Sequence, residues 1–267
     1  MYLFDHVVHF VEKPEFAVER LQNEGIHTVM GGKHEMWGTY NALSYFDLSY
    51  IECIGIFDEA LFEQAAGEKY SLHASFANRR QVGLKRFAIR TTTIEQDAKK
   101  FTEAGLEVFG PTQYSRTRED GSVVRWQLLY VGYPKSTIEF PFFIQWDEDD
   151  EQRRSLLTEQ GVLATHQSGD LQLAELHFVV PNFVAVTQMA TLCEATVVEH
   201  TKIEDNVQSM TVKLPNIELV FQCPIGIGRV WDYMLDHGYG IQKLVLTGAK
   251  VSETIEYDGA TYEMSTR

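Results

Sequence analysis

The apolar and polar positions of the chain repeat one order of elements: a short strand, an amphipathic helix of about ten residues, then further strands. In the first copy, this pattern predicts strands at residues 3–11, 38–46 and 50–56, and a helix at 14–23 that Gly25 ends. In the second copy, it predicts strands at 84–91, 122–131 and 137–146 around a helix at 94–104. The agreement in order and length predicts that both segments fold as one kind of module.

Two further copies follow toward the end of the sequence. The third has a strand at 173–180, a helix at 183–192 and strands at 196–200, 208–214 and 217–223. The fourth is shortened, with a helix at 228–237, a strand at 241–246 and a hairpin of residues 253–257 and 260–264. Repeated βαβββ modules predict an α+β fold of paired curved half-barrels whose concave faces enclose a pocket.

Two segments connect the modules. Residues 58–80 have a helical pattern and predict an insert, and the acidic run at 147–151 is typical of a hydrated linker rather than a cation site. A short helix is expected at 153–160. The predicted organisation is one domain at 1–146 (modules one and two with the insert), a linker with a helix at 147–171, and a second domain at 172–267 (module three and the shortened module four).

Composition and charge narrow the classes of function. The chain has 267 residues, of which 44% are hydrophobic, and its 23 basic and 38 acidic side chains give a net charge of −15. Because phosphate backbones are normally bound by clustered Lys and Arg, this balance argues against a nucleic-acid partner. Without an apolar run of about 18 residues or a start like a signal peptide, we expect no membrane association and a cytoplasmic location. Cys53, Cys193 and Cys223 predict reduced core thiols.

Motifs in order along residues 3–146 point to a known family. Gly31-Gly-Lys-His-Glu-Met-Trp-Gly-Thr-Tyr-Asn-Ala-Leu43 has the spacing GGxHxxxGTxNxL, with Asp5-His-Val-Val8 before it and Tyr50-Ile-Glu-Cys-Ile54 after it. Ser115-Arg-Thr-Arg-Glu-Asp-Gly121, Arg125-Trp126 and Pro141-Phe-Phe-Ile-Gln-Trp146 follow in the second module. Together they resemble the glyoxalase-like domain family of the vicinal-oxygen-chelate (glyoxalase/bleomycin resistance/dioxygenase) superfamily. Glu119, where the family has proline, and Gln127, where a basic residue is usual, depart from the pattern.

The resemblance implies a divalent-ion site, because superfamily enzymes typically take a first-strand residue and a last-strand carboxylate from each of two paired modules. Module one offers His6 and Glu52, which are the tentative metal ligands and the candidate catalytic acid and base. In module two the equivalents are expected to be Arg86 and Glu139, and an arginine cannot ligate a cation. Modules three and four offer Glu175, Glu218 and Lys243, so no pairing gives two histidines and two carboxylates.

Two interpretations of this set stay open. In the favoured one, the ion is lost and Arg86 lies between Glu52 and Glu139, where its guanidinium can face an anionic substrate. In the other, His6 and Glu52 still bind an ion weakly, with water or another module's carboxylate. His6 can also be a structural histidine whose ring nitrogens are satisfied by backbone or by Glu52. The cofactor is therefore left open, with a divalent metal as the less favoured alternative.

Arg116, Arg118 and Arg125 lie within ten residues of one another and are candidates for binding a carboxylate or phosphate, with Trp126 as an aromatic cover. The alternative is that they pair with surface carboxylates. Because strand side chains alternate, Arg125 and Trp126 face opposite ways and cannot both enter one cavity. Trp37 is a further substrate-binding candidate, beside a glycine-rich loop that we interpret as a pocket rim.

The sequence thus favours a glyoxalase-like protein that binds a small, anionic or oxygen-rich metabolite between its modules. The resemblance implies lyase, isomerase or ring-cleavage chemistry without selecting one, because one fold hosts many reactions. The alternative is a non-catalytic, metal-free binding or sequestering protein of the resistance type. The expected partner is a small molecule, and a homodimer stays open.

Overall fold

The computed structural model describes residues 1–78, 80–117, 121–134 and 136–266, without the side chains of residues 199–204. Module one consists of β1 (Leu3–Phe10), α1 (Pro14–Asn23), β2 (Val29–His34), β3 (Thr39–Phe46) and β4 (Ser49–Ile56). The insert forms α2 (Glu59–Ala66) and α3 (Leu72–Asn78). Module two consists of β5 (Gly83–Arg90), α4 (Ile94–Glu103), β6 (Glu107–Thr117), β7 (Val123–Gly132) and β8 (Phe142–Trp146).

A fifth helix, α5 (Asp150–Glu159), leads into the second half of the chain. Module three consists of β9 (Gly169–Val179), α6 (Val184–Leu192), β10 (Thr196–Glu204), β11 (Val207–Leu214) and β12 (Ile217–Pro224). Module four consists of α7 (Arg229–His237), β13 (Gly240–Ala249), β14 (Glu253–Tyr257) and β15 (Ala260–Ser265). None of the described helices combines the length and the apolar character that a membrane span requires.

Local signals explain the module helices. Pro14 begins α1, where its fixed φ suits the first turn and its missing N–H costs no helical hydrogen bond. Ala17 and Leu21 lie one turn apart and are completely buried, so α1 packs one face on the sheet. The chain leaves the helix through Gly25, whose φ of 76° is readily available to glycine.

In the described part of the chain, the first sheet has eight strands in the order β2-β3-β4-β1-β5-β8-β7-β6. β1 pairs in parallel with β4 and antiparallel with β5, so modules one and two join edge to edge, with His6 opposite Ala88. The second sheet, over the same described residues, has seven strands in the order β10-β11-β12-β9-β13-β15-β14, and β9 and β13 join modules three and four. The predicted α+β fold of repeated modules and curved half-barrels is confirmed.

The main hydrophobic core lies between the two sheets. Phe4 and Phe87 of the first sheet belong to the same buried cluster as Phe178 and Phe221 of the second. The rings of Phe87 and Phe178 meet edge to face at 5.5 Å. One continuous core therefore joins the two halves of the chain.

The opposite face of the first sheet, here called the inner face, is also covered. At one end, Phe62 of α2 and Phe76 of α3 pack with Val8 and Phe10, and the rings of Phe10 and Phe76 stack at 4.9 Å. Burying a phenylalanine in this way is worth about 1.5–3 kcal/mol. At the other end, Leu157 of α5 packs with aromatic residues of β3 and β4. The insert and α5 thus enclose the middle of the inner face between them.

The structure differs from the sequence prediction in three places. The strands β2 and β6 are not predicted, because they are the edge strands of the sheet and their residues are mostly half-buried or exposed, without the apolar alternation of a strand. Residues 137–141 do not belong to a strand, and β8 begins at Phe142. The acidic run is not only a linker, because Asp149 caps α5 through a capping box and the helix starts at Asp150. The proposed domain boundaries at residues 146 and 172 stay a prediction.

Candidate functional site

His6 and Glu52 lie together in the middle of the inner face. β1 places His6 there and the neighbouring β4 places Glu52, which pairs with Val8 in register. His6 is 3% exposed and Glu52 7%, and the His6 Nε2 atom lies 3.6 Å from Glu52 Oε2. The His6 ring also stacks on Tyr50 at 4.5 Å. Two groups that can exchange a proton therefore face each other in a nearly water-free environment.

The other ring nitrogen of His6 is held by a buried carboxylate. His6 Nδ1 lies 2.8 Å from Asp5 Oδ1, and Asp5 is completely buried. Burial by itself raises the pKa of Asp5, but the hydrogen bond from His6 and the charges of Arg153 and Arg90 outweigh it and hold that pKa below its ordinary value. Asp5 is thus an ionised acceptor, so Nδ1 carries the proton and Nε2 is the ring atom directed at Glu52.

The second oxygen of Asp5 explains how a bare carboxylate is tolerated there. Asp5 Oδ2 accepts a hydrogen bond of 3.1 Å from Trp146 Nε1 and lies 3.6 Å from Arg153 Nη1 and 3.7 Å from Arg90 Nη1. The Arg153 guanidinium also lies over the Trp146 ring, 4.2 Å from its centroid. Because Arg153 comes from α5, the segment predicted as a linker completes the site.

Asn41 of β3 holds the other side of Glu52. Asn41 Nδ2 donates a hydrogen bond of 2.6 Å to Glu52 Oε1, and Asn41 Oδ1 accepts one of 3.0 Å from the Gly32 N–H. A Cβ at Gly31 would lie 2.2 Å from Asn41 Oδ1, and one at Gly32 would lie 2.1 Å from Arg116 Nη1. The two glycines belong to strand β2 rather than to a loop, and there they let Asn41 and Arg116 approach the backbone closely, as the sequence predicts.

Neutral histidines and aromatic rings surround this centre. Burial lowers the pKa of His34 to about 4 and that of His73 to about 3, although the charge of Glu52 opposes the shift at His34. Trp37 lies between them, with its ring centroid 5.5 Å from that of His34 and 5.0 Å from that of His73. Trp126 is buried on the same face of the sheet. Both tryptophans that the sequence singles out thus lie in the aromatic wall of the inner face.

The arginine candidates are divided by the structure. Arg116 is half-buried, with its guanidinium against Gly32, and its charge contributes to the low pKa of His34. Arg125 is exposed and faces away from Trp126, as strand alternation predicts, so the structure does not bring it to the centre. Arg118 lies outside the described residues. Arg116 is therefore the arginine of this cluster that the described structure places near His6 and Glu52.

The second module does not supply the expected partner of Arg86. The Val11 N–H bonds to the Ile54 carbonyl, and the corresponding bond in module two joins Thr91 to Ile144. When these two bonds are aligned, Arg86 of β5 is equivalent to His6 of β1, as predicted. Phe142 of β8 is equivalent to Glu52 of β4. The predicted equivalence of Glu139 is wrong, because residues 137–141 do not extend β8.

Arg86 has a different set of neighbours from those expected. Its Nε and Nη2 atoms donate to the Phe140 carbonyl at 3.1 and 2.6 Å, and its Nη1 donates to the Tyr70 carbonyl at 2.5 Å. Glu52 is instead engaged by Asn41 and His6. The expected arrangement of Arg86 between Glu52 and Glu139 is therefore wrong, although Glu139 is near enough to act on the Arg86 charge.

The donor groups do not fit the four-ligand ion site that the resemblance implies. His6 and Glu52 provide two donors, but Arg86 and Phe142 stand at the other two positions, and neither can ligate a cation. In modules three and four the four corresponding places hold Glu175, Val220, Lys243 and Glu263, and Lys243 forms an ion pair with Glu263. Over residues 1–78, 80–117, 121–134 and 136–266, no group of three His, Cys, Asp or Glu side chains is arranged to hold a metal.

Sequence reasoning missed Asp5, Asn41, Arg90 and Arg153 as parts of the site. Asp5 carries a readable signal, because a carboxylate inside an apolar first strand needs a buried partner. Asn41 stands in the GTxNxL motif. Arg90 and Arg153 have no such signal, because their contact with Asp5 depends on how β5 and α5 pack.

Comparisons with known proteins agree with this architecture. Residues 4–193 of the chain match the sequence model of the glyoxalase-like domain family. A hypothetical protein from Staphylococcus aureus is similar over 100% of both chains, with 22% identity and a TM-score of 0.81. A mutant of 4-hydroxymandelate synthase from Streptomyces coelicolor has 9% identity and a TM-score of 0.53, covering 91% of this chain and 70% of that chain.

Methylmalonyl-CoA epimerase from Mycobacterium tuberculosis has 16% identity and a TM-score of 0.37, covering 56% of this chain and 90% of that chain. No curated protein matches the sequence. At these identities, the likeness to the Staphylococcus protein and to the synthase shows a common fold and no more.

Proposed function

The chain belongs to the glyoxalase-like domain family, and from that premise we propose that it binds a small anionic or oxygen-rich metabolite at the inner face of the first sheet. His6 moves a proton on the bound molecule. Proton abstraction beside a carboxylate or carbonyl is a step that lyase and isomerase reactions share, so the proposal names a step and a substrate class rather than one reaction.

The proposal is supported mainly by the consecutive contacts of Asp5 with His6 and of His6 with Glu52. A buried ionised carboxylate that accepts from Nδ1 fixes the ring orientation and tautomer of a histidine and stabilises its charged form. Asp5 meets this condition with a contact of 2.8 Å to His6. The arrangement leaves Nε2 available to accept a proton, with Glu52 3.6 Å away as the group to or from which it can pass.

The surrounding residues suit an anion beside His6. Arg116 supplies a positive charge near His34. Hydrogen bonds join Glu52 to Asn41 and Asn41 to Gly32, so these groups lie on the side of Glu52 opposite to Asp5. Burial keeps His34 and His73 neutral at pH 7, so they add hydrogen-bonding groups without adding charge. An anion placed here would have its charge balanced by Arg116.

A non-catalytic binding protein is the second candidate, and one observation favours it. Arg86 and Phe142 replace the donors that module two contributes in superfamily enzymes, and the histidine is only 3% exposed. In that case His6 is a structural histidine and Glu52 shapes the pocket. The two candidates differ in whether a proton leaves the ligand.

Proton transfer can be tested without knowing the substrate. A panel of 2-hydroxy and 2-oxo acids is incubated with the protein in D2O, and proton NMR follows the loss of signal at the carbon beside the carboxylate or carbonyl. We expect exchange with at least one acid, and a loss of at least a hundredfold in its rate in His6→Gln, because general-base groups contribute about 10²–10⁴ in rate.

Arg125→Ala is the matched control for Arg116→Ala. Both remove an arginine from the neighbouring strands β6 and β7, but Arg125 is exposed on the other face. The Arg116 variant should exchange more slowly and need more acid for saturation, whereas the Arg125 variant should behave as the wild type. If an acid binds saturably but none of the acids exchanges a proton, the chain is the non-catalytic binding protein. If both arginine variants lose the same amount of exchange rate, the proposed anion site at Arg116 is wrong.

A further inference from the structure

A large cavity lies at the start of β5, and His6 and Glu52 are not among its lining residues. Its volume is about 660 Å³, and it is lined by the start of β5, the ends of β7 and β9, helix α3, the segment at 136–140 and helix α7. It therefore lies at the seam between the two halves of the chain, and we call it the seam cavity. Small-molecule sites typically have volumes of about 300–1,000 Å³, and they occur preferentially where two units meet.

One wall of the seam cavity is aromatic. Phe178 of β9 and Phe221 of β12 both line it, and their rings stack at 4.5 Å with planes 19° apart. Phe87 of β5 meets Phe178 edge to face beside them. The lining also includes Met189 of α6 and Ile138. Such a surface favours the apolar part of a ligand, because burying it removes apolar area from water.

The charged lining is mainly positive, although the chain carries a net charge of −15. Lys69, Lys85 and Arg86 line the cavity against one carboxylate, Glu139, among the lining residues of the described structure. Lys69 pairs with Glu107, so part of this charge is already balanced. Glu139 is exposed, and water screens its attraction for Arg86.

Arg86 is the buried cation among the lining residues. It is 3% exposed, and its hydrogen bonds go to two main-chain carbonyls, those of Tyr70 and Phe140. These use three of the five guanidinium N–H groups and leave the positive charge without a hydrogen-bonded carboxylate among the described residues. A buried cation without such a partner is costly, and an anion in the adjoining cavity would relieve that cost.

We propose that the seam cavity is a second ligand site, for a monocarboxylate with an apolar body. The carboxylate binds at Arg86, and the apolar body lies against Phe178 and Phe221. The Phe142 ring lies between Arg86 and His6, and His6 and Glu52 do not line the cavity, so the site holds a regulator or a cargo molecule rather than the molecule on which His6 acts.

The test uses octanoate and its uncharged counterpart octan-1-ol, with isothermal titration calorimetry on the full chain. The wild type should bind octanoate one to one and at least tenfold more tightly than octan-1-ol. Arg86→Met should weaken octanoate at least tenfold and leave octan-1-ol unchanged. Arg125→Met and Arg116→Ala should both bind octanoate as the wild type does, because neither residue lines the cavity.

Ile138→Trp tests the same cavity if Arg86→Met does not fold. Ile138 is half-buried in the segment that lines the cavity, so Ile138→Trp can fill the space from its edge and should weaken both ligands at least tenfold. Equal affinity for acid and alcohol, an unchanged octanoate affinity in Ile138→Trp, or weakening by Arg116→Ala would overturn the proposal. So would the absence of saturable octanoate binding to the wild type.

Discussion

Asp5 shows how one buried side chain sets the chemistry of its neighbours. One oxygen of its carboxylate accepts a hydrogen bond from His6. The other accepts one from Trp146 and lies near Arg90 and Arg153. Every group around it is arranged for a negative charge, so a neutral residue of the same shape cannot replace it. The orientation of His6 and the stability of the fold therefore depend on the same carboxylate.

We expect Asp5→Asn to lower the free energy of unfolding by about 3 kcal/mol, because it leaves Arg153 without its buried partner and Arg90 with only the exposed Asp150. Urea unfolding at pH 7 measures the loss. Asp47→Asn is the matched control, since Asp47 pairs with Arg154 at the exposed surface, and a surface pair is worth under about 1 kcal/mol. Equal losses in the two variants would show that the Asp5 cluster is no stronger than a surface pair.

The contribution of Asp5 to the free energy of unfolding should also depend on pH. The folded pKa of Asp5 is lowered, so its ionised form stabilises the fold above the unfolded pKa of about 3.9, and that contribution disappears as the pH falls through the folded value. The stability difference between the wild type and Asp5→Asn should thus be constant from pH 7 to about 5 and shrink below about 4. A difference that grows toward acid would contradict the assigned ionisation.

At the scale of elements, α5 shows that an acidic segment can be structural. The Asp149 carboxylate accepts from the Gln152 N–H, and the Gln152 side-chain oxygen accepts from the Asp149 N–H. The helix that begins there places Arg153 beside Asp5. Acidic residues in the first turn also suit the positive end of the helix dipole. The cap therefore contributes to the site through the helix that it starts.

Asp149→Ala should lower the free energy of unfolding by about 1 kcal/mol, the usual effect of removing an N-cap. The substitution should also slow the exchange reaction at His6, because α5 would hold Arg153 less firmly. Glu151→Ala, in the same exposed first turn but outside the capping box, is the control. Chemical denaturation and the NMR exchange assay read the two effects, and identical behaviour of the variants would show that the cap has no such role.

At the scale of the whole molecule, His9 joins the two halves of the chain. Its Nδ1 accepts from the Tyr262 hydroxyl at 2.6 Å, and its Nε2 donates to the Asp258 carbonyl at 2.9 Å. The Glu12 N–H adds a bond of 2.9 Å to the Asp258 carboxylate. Burial lowers the pKa of His9 to about 4, although the bond to Asp258 opposes the shift. The seam therefore uses a neutral histidine.

This neutral histidine should make the fold sensitive to mild acid. Between pH 6.5 and 4 the unfolded chain binds a proton at His9 and the folded chain does not, so stability falls by up to about 1.4 kcal/mol per pH unit. His34 and His73 act in the same direction. In His9→Gln, the dependence of unfolding free energy on pH should be less steep by about one proton.

Tyr262→Phe separates the titration from the hydrogen bond. It removes the bond to neutral His9 but no group that titrates in this range, so it should lower stability at pH 7 and keep most of the pH dependence that His9→Gln removes. Unfolding free energies across that range measure both variants. A wild-type slope that survives His9→Gln would show that His9 does not remain neutral at the seam.

The sequence by itself determined the modules, the fold class and the family. Strand and helix periods depend on neighbouring residues, so α1, β3, β4 and the final hairpin were predicted close to their observed bounds. His6 and Glu52 could be placed together because the paired positions follow from one module's own strands. The edge strands β2 and β6 were missed, because their side chains are solvated on both faces and leave little alternation.

Tertiary structure alone decided which residues complete the site. Glu139 was assigned to the place that Phe142 holds, since strand register is fixed by pairing between β5 and β8 rather than by local pattern. Arg153 reaches Asp5 from about 150 residues further along the chain, and Arg86 meets the seam cavity only because two sheets pack together. Such contacts follow from packing, which the order of hydrophobic and polar residues constrains without specifying.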